Sequence, residues 1–269
     1  MPRRHRIGTL VGAAALAFSV STLALAQDPE DSAVSVTAAA SIVSKYLWHG
    51  YDVLDDHAAF QPYVEVGWRG FFVGVWGSFA LASGFEDLDE LDYYAGCTRS
   101  FLSEERFAFD AMLLYTYYDY PNSDTVPGSD GVADTQDLML KFAFPNLISL
   151  GPAKLVPSIA VLREWDGAES GHHVDDGWLH ILALSYSLPL ADTAFTQEGQ
   201  TLDVTLDATH NDGVFGSESG WSHGTLTLGT SYSWGAVTIA PYVAHQWSWE
   251  DSVNDEDEFV AGWTAKVEF

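Results

Sequence analysis

Positive charge and sulfur are what this chain has least of. Lys and Arg number 11 against 38 Asp and Glu in 269 residues, a formal net charge of −27, and there is 1 cysteine. Nucleic-acid surfaces work by replacing counterions with basic side chains, so a polyanion of this kind excludes nucleic acid as a partner. A single cysteine excludes a disulfide framework and any Cys-rich zinc or iron–sulfur centre. Beyond the N-terminus no run approaches the ~18 apolar residues of a membrane-spanning helix. Disorder is excluded from the other side, because 47% hydrophobic and 14% aromatic residues are too many for a chain that avoids burial.

What is present begins with a processing signal. Arg3, Arg4 and Arg6 precede an apolar stretch over 10–20, followed by Ala24-Leu25-Ala26. A basic start, a short apolar core and a small-residue exit read as a secretory signal peptide over 1–26. No cysteine follows the cleavage point, so lipid anchoring there is not expected. The exported body is 27–269.

In that body apolar residues recur at spacing two, the signature of strands. Leu202, Val204, Leu206 and Ala208 alternate with Thr201, Asp203, Thr205, Asp207 and Thr209. The pattern predicts an all-β chain of about twelve strands, near 34–48, 59–68, 71–82, 89–102, 106–119, 134–144, 154–165, 176–188, 200–210, 221–233, 236–248 and 258–269. Connections after even strands are short or moderate, as at Arg69-Gly70 and Trp234-Gly235. Those after odd strands are often longer and acidic. A soluble sandwich has no reason to sort its loops by side, and rows such as Thr201-Asp203-Thr205-Asp207 are costly in a dry core. A transmembrane antiparallel up-and-down β-barrel satisfies both features: an even strand number, short turns inside, long loops outside and a wet lumen. Closure also leaves no unpaired strand edge in lipid. The expected location is the bacterial outer membrane. The expected partners are its lipid and lipopolysaccharide, the periplasmic chaperones and barrel-assembly machinery, and small solutes or cations.

The chain ends on Phe269, with Val267, Ala265 and Trp263 on the same face. A terminal aromatic closing an amphipathic strand is the expected membrane-insertion signal, carried by Trp263, Val267 and Phe269.

The run Ser41-Ile42-Val43-Ser44-Lys45-Tyr46-Leu47-Trp48-His49-Gly50-Tyr51 resembles the first-strand motif S-x-Y-x-[WF]-R-G of the TorF-type porin family. Gly74–Ser78, Glu90–Gly96, Tyr118–Asn122 and Asp134–Asp137 continue the likeness over most of the mature chain. His49 stands where that family commonly has Arg. The resemblance implies an outer-membrane porin and specifies no substrate.

Charge placement then suggests function. Inward positions are Glu65, Asp92, Arg106, Asp110, Asp137, Lys141, Asp203, Asp207 and Lys266; they line a narrow pore or pair into ladders that plug it. An acidic mouth is expected from Asp52, Asp55, Asp56, Glu86, Asp87, Glu250, Asp251, Asp255, Glu256 and Asp257. Such a mouth attracts cations, or simply keeps loops hydrated and binds divalent ions bridging lipopolysaccharide. The expected function is a channel for ions and small solutes with weak cation preference. The alternatives are a non-conducting structural or adhesive barrel and, behind it, a barrel enzyme.

His172 and His173 beside Asp175 and Asp176 are candidate ligands for a borderline metal, with loop polarity the plainer reading. Ser222-His223 is the nearest approach to a catalytic pair, but adjacent strand residues point to opposite faces, so the two are not expected to meet. No phosphate loop, nucleophile elbow or metalloprotease motif occurs, and no cofactor or enzymatic activity is expected. Trp48, Tyr115, Tyr117, Trp165, Trp178, Trp221, Trp247 and Trp249 are expected near the outer ends, and Trp68, Phe71, Phe101, Phe107, Trp234 and Phe269 near the inner ends. That is a two-girdle pattern, with a carbohydrate platform as the competitor if the rings face inward.

Overall fold

In a computed structural model, residues 34–123, 132–167, 174–193 and 196–269 are described. The fold is a closed antiparallel barrel of 12 principal strands. In chain order they are β1 (Ser35–Val43), β2 (Ala59–Trp68), β3 (Phe71–Ala80), β4 (Glu90–Phe101), β5 (Phe109–Asp119), β6 (Thr135–Ala143), β7 (Ala153–Asp166), β8 (Gly177–Pro189), β9 (Thr201–Asp212), β10 (Gly220–Thr230), β11 (Val237–Ser248) and β12 (Glu258–Glu268). Each pairs with its chain neighbours, and β1 pairs with β12 to close the ring, Thr37 opposite Glu268 and Val43 opposite Gly262. Two short segments, Ile148–Leu150 and Tyr232–Trp234, lengthen the sheet at the end that carries the tight turns. No helix of the described residues is long and apolar enough to cross a membrane.

The predicted strand phase follows from how side chains are distributed across the wall. Val64, Val73, Leu113, Leu140, Leu182 and Leu206 are exposed on the outside. Their chain neighbours Tyr63, Phe72, Met112, Met139 and Thr205 are buried or half-buried on the inside. An apolar outer band around a polar-to-mixed interior inverts a soluble protein and suits a lipid surround. The tight end is set by turns such as Arg69-Gly70 between Trp68 and Phe71, with φ of 50° and 78°. A Cβ on Gly70 would stand 2.6 Å from the Thr98 carbonyl oxygen, so that turn demands glycine.

Outward rings collect at both ends. Trp178, Trp221 and Trp247 lie exposed at the loop end; Trp68, Phe71, Phe101 and Trp234 lie exposed at the turn end. Trp48 does not join them. It is fully buried inside the barrel.

The first strand accounts for this difference. It stops at Val43, short of the expected 48. The Ser44 N–H still reaches the Ala261 carbonyl at 2.8 Å, and Ala261 N–H donates to Ser44 Oγ at 2.9 Å. Beyond that point the chain turns inward. Leu47–Trp48 pairs with Tyr51–Asp52 as a small hairpin inside the mouth, joined at His49 and Gly50. Both linking residues have positive φ, 42° and 103°, the backbone of a two-residue hairpin turn.

Candidate functional site

The segment 44–58 crosses the loop end and fills it. Tyr46 packs on Trp76 of β3; Trp48 stacks on Phe215 in the β9–β10 loop and meets Tyr118 of β5 edge-on. Val53, Leu54, Leu114, Leu162 and Leu179 complete a dry cluster. Polar bonds tie the hairpin to the opposite wall. Asn211 Nδ2 donates to Tyr51 Oη at 3.0 Å, Tyr51 Oη donates to the Val214 carbonyl at 2.8 Å, and Gln246 Nε2 donates to the Gly50 carbonyl at 2.9 Å. A Cβ at Gly50 would stand 2.5 Å from His223 Nδ1 and 2.8 Å from Val253 Cγ1. The hairpin tip therefore fits only as glycine.

Its base is latched electrostatically. The Lys45 ammonium pairs with both Asp56 and Glu258. Burial works against that charge, but the hydrogen bonds to Asp56 and Glu258 outweigh it and hold Lys45 above its ordinary range. Asp52, Asp56 and Glu258 bring one oxygen each within 4.8 Å of one another, a metal-like grouping into which Lys45 already delivers a cation. Burial raises the Asp52 carboxyl, opposed by N–H donors from Asp56 and Leu54 at 2.7 and 3.3 Å. His49 retains some solvent contact but is ringed by protein atoms, and that burial pushes it down to about 4.

Beneath the hairpin sits a second acidic group. Glu90, Asp92, Asp137 and Glu164 point inward from β4, β6 and β7 and are 0–2% exposed. Tyr46 Oη donates to Glu90 Oε2 at 3.1 Å, linking the group to the hairpin, and Tyr118 Oη donates to Asp137 Oδ2. Among the described residues no Lys or Arg forms an ion pair with Asp92, Asp137 or Glu164.

The inward positions expected from sequence divide by depth. Asp92 and Asp137 lie under the hairpin. Glu65, Lys141, Asp203 and Asp207 line the half-accessible turn-end part of the lumen, with Lys141 and Asp207 within electrostatic reach of each other. Asp110 accepts from Ser100 Oγ, and Lys266 pairs with Glu268 at 2.8 Å. Arg106 lies elsewhere: it is exposed in the β4–β5 turn with its guanidinium over the Phe107 ring. Arg69 and Arg99 likewise sit over the outward rings of Trp68 and Phe71.

Of the acidic-mouth residues, Asp52 belongs to the hairpin, Asp55 and Asp56 follow it, and Glu86 and Asp87 occupy a short 3₁₀ turn (Glu86–Leu88). Glu250, Asp251, Asp255, Glu256 and Asp257 lie in the β11–β12 loop, where Asp257 Oδ1 accepts from Ser248 N–H at 2.9 Å. Trp263 and Val267 face outward on β12, and Phe269 forms the last rung with Val36, N···O 2.9 Å. His172 and His173 fall outside the described residues. Asp176 pairs with Arg163, and the Asp175 carbonyl accepts from Phe215 N–H at 3.0 Å.

One geometric expectation is overturned. Ser222 and His223 do meet, Oγ to Nδ1 at 3.0 Å, because the β9–β10 register shifts between Thr209 and His210 and the bulge turns both residues inward. Both are nearly inaccessible, and Ser222 Oγ also lies 3.1 Å from the Thr209 carbonyl. The pair is a packing contact beside the hairpin tip.

Sequence reasoning missed Glu90, Glu164 and the hairpin itself. Glu90 and Glu164 were legible by parity, two residues from inward Asp92 and Leu162. The hairpin was not, because Tyr46 and Trp48 continue the alternation of β1.

Residues 27–162, just over half of the chain, match the model of a family described as bacterial protein of unknown function (Gcw_chp). The chain belongs to this family. Within Gcw_chp, that match includes the hairpin, its Trp76 and Tyr118 seats and three of the four buried carboxylates, Glu90, Asp92 and Asp137. No protein of curated function matches the chain. Among solved structures, the COG4313 outer membrane channel from Pseudomonas putida F1 is similar at 11% identity and TM-score 0.49, covering 90% of this chain and 99% of that one. The β domain of the Bordetella autotransporter BrkA is similar at 13% identity and TM-score 0.45, covering 87% and 98%. The CymD monoaromatic hydrocarbon channel is similar at 12% identity and TM-score 0.40, covering 88% of each chain.

Proposed function

We propose that this Gcw_chp protein is an outer-membrane channel for ions and small solutes whose outer mouth is closed by its own first loop. On this reading residues 1–26 direct export, and the turn end faces the periplasm. The loop end faces outward among lipopolysaccharide, and the barrel-assembly machinery recognises the last strand. One observation carries the proposal: the occlusion is made by the segment between Ser44 and Ala58, and no strand-to-strand backbone rung of the described barrel runs through 45–57, so it can leave with the wall intact. A barrel that is only structural can fill its lumen with wall side chains and needs no insert.

The lumen wall favours cations, since Glu65, Asp203 and Asp207 face it and the basic side chains at the turn rim sit mostly over outward rings. The likeness of the hairpin sequence to the TorF-type porin motif agrees with a porin role. Planar bilayers test the idea. The natural protein should give rare or small conductance steps, and a variant with 46–54 replaced by a short Gly-Ser link should conduct steadily. Silence from that variant, with heat-modifiable folding intact, would return the protein to the non-conducting class.

A further inference from the structure

The turn end carries a group of cations that the protein itself leaves uncompensated. Lys45, Arg163 and Lys266 each pair with a carboxylate, Lys141 lies within electrostatic reach of Asp207, and Lys154 donates to Asn146 Oδ1 at 2.5 Å. Arg69, Arg99 and Arg106 are the other basic side chains among the described residues, and none of the three forms an ion pair there. A chain with 38 Asp and Glu has acids to spare for them. Glu104 and Glu105 even share the β4–β5 turn with Arg106, yet neither pairs with any of these arginines.

The three sit over outward rings of β2–β5. The Arg69 guanidinium carbon lies 5.1 Å from the Trp68 ring centroid, that of Arg99 5.0 Å from Phe71, and that of Arg106 5.9 Å from Phe107. Trp68 is directly opposite Phe71, and Phe71 is opposite Cys97, the outward position before Arg99 on β4. All six of these side chains, rings and arginines, are exposed. Aromatic rings of this kind sit at the membrane interface, so the cations are held at headgroup depth. Arg99 is also pre-oriented. Its Nη1 donates to the Arg69 and Thr98 carbonyls, the second at 3.0 Å, which ties the guanidinium to the Arg69-Gly70 turn. Its Nε–Nη2 edge has no hydrogen-bond partner among the described residues. That edge presents two parallel N–H donors, the fork that holds two phosphate oxygens at once. Arg69 occupies a hairpin position with φ of 50°, where Asn or Gly is the usual choice, so its backbone does not explain its presence.

We infer that Arg69 and Arg99, with Arg106 beside them, form a headgroup site for one anionic phospholipid of the periplasmic leaflet. The phosphate takes the free Arg99 edge and the Arg69 charge, while the acyl chains run along the exposed Val66 and Val73, which face each other on the same ladder. Basic side chains at an interface attract anionic lipid, and the missing carboxylate partners leave the lipid as the counter-charge. A bound phosphate also neutralises rim charge that opposes cation passage. The choice of leaflet rests on the turn end facing the periplasm; the site does not rest on a conducting lumen.

The test uses the full-length folded protein in non-ionic detergent, offered dioleoylphosphatidylglycerol or dioleoylphosphatidylcholine, with retained lipid counted by native mass spectrometry. The matched chains leave only the headgroup to differ. The natural protein should retain one phosphatidylglycerol at several-fold lower lipid concentration than phosphatidylcholine, and added NaCl should erode the difference. Arg69→Asn combined with Arg99→Gln should abolish the preference, whereas Lys154→Gln, which removes an exposed cation at the same end, should keep it. If the double variant fails to fold, Arg99→Lys provides the check: it keeps the charge, loses the fork and should weaken retention several-fold. Equal retention of the two lipids by the natural protein, or a preference unchanged in the arginine variants, overturns the inference. Stronger retention of purified lipopolysaccharide than of phosphatidylglycerol overturns it too, by moving the site to the other leaflet. Conductance plays no part in this readout, so a silent barrel leaves the site standing, and a lost lipid preference leaves the channel standing.

Discussion

At the scale of single residues the wall has two solvents, and adjacent positions report on them separately. Val204 faces outward between Tyr186 and Leu228, whereas Thr205 faces inward, 3.2 Å from Ser185 Oγ, with Asp203 and Asp207 on the same face. Val204→Arg should cost roughly 2–4 kcal/mol near the bilayer midplane and Thr205→Arg much less; equal losses in a chemical refolding assay would contradict the assigned phase.

His49 gives a pH prediction with a definite sign. In the closed hairpin its pKa is lowered from 6.5 to about 4 by burial, while a released hairpin restores the ordinary value. Closure is therefore unopposed above pH 6.5 and weakens as pH falls from 6.5 towards 4, by roughly 2 kcal/mol after discounting for residual solvent contact. Channel opening should rise between pH 7.5 and 5, and His49→Gln should flatten the response. A response that survives the substitution would move the titrating group to another side chain, His223 beside the tip being the first to examine.

Among the elements, β12 does two jobs. It closes the ring against β1, and its outward Trp263, Ala265 and Val267 lead to Phe269, whose N–H and C=O both bond to Val36. Deleting Phe269 removes that last rung and the terminal aromatic together. Export should continue, while the heat-modifiable folded form in outer-membrane fractions should fall sharply. A normal amount of folded barrel would show that assembly reads another part of the strand.

For the whole molecule the question is which charges an ion passes. The basic groups at the turn rim oppose cation preference less than their number suggests, because Arg69, Arg99 and Arg106 sit over Trp68, Phe71 and Phe107. Inside, carboxylates outnumber Lys141 and Lys266. Reversal potentials across a KCl gradient should therefore indicate cation preference in the hairpin-shortened variant. The bias should fade as the Debye length falls from about 10 Å at 0.1 M salt to about 3 Å at 1 M. Neutralising Glu250, Asp251, Asp255, Glu256 and Asp257 together should reduce it. Anion preference at low salt would place control at the turn end.

The sequence by itself determined the wall. Period-two alternation and the sorting of short turns from long loops carry strand number, phase and closure, because backbone pairing in a barrel is local and each strand meets its chain neighbours. It also placed Asp92 and Asp137 on the inward face, since parity along a strand is fixed once the apolar face is known; Arg106 escaped that rule because it lies in the β4–β5 turn, where the alternation ends. Only the tertiary structure decided where the first strand ends. Tyr46 and Trp48 keep the beat of β1, yet their seats are Trp76, Tyr118 and Phe215, brought to one place by strands and a loop far apart in the chain. The meeting of Ser222 with His223 likewise came from a register shift against β9, which no count along β10 contains. Local periodicity encodes the barrel; burial against distant partners encodes what closes it.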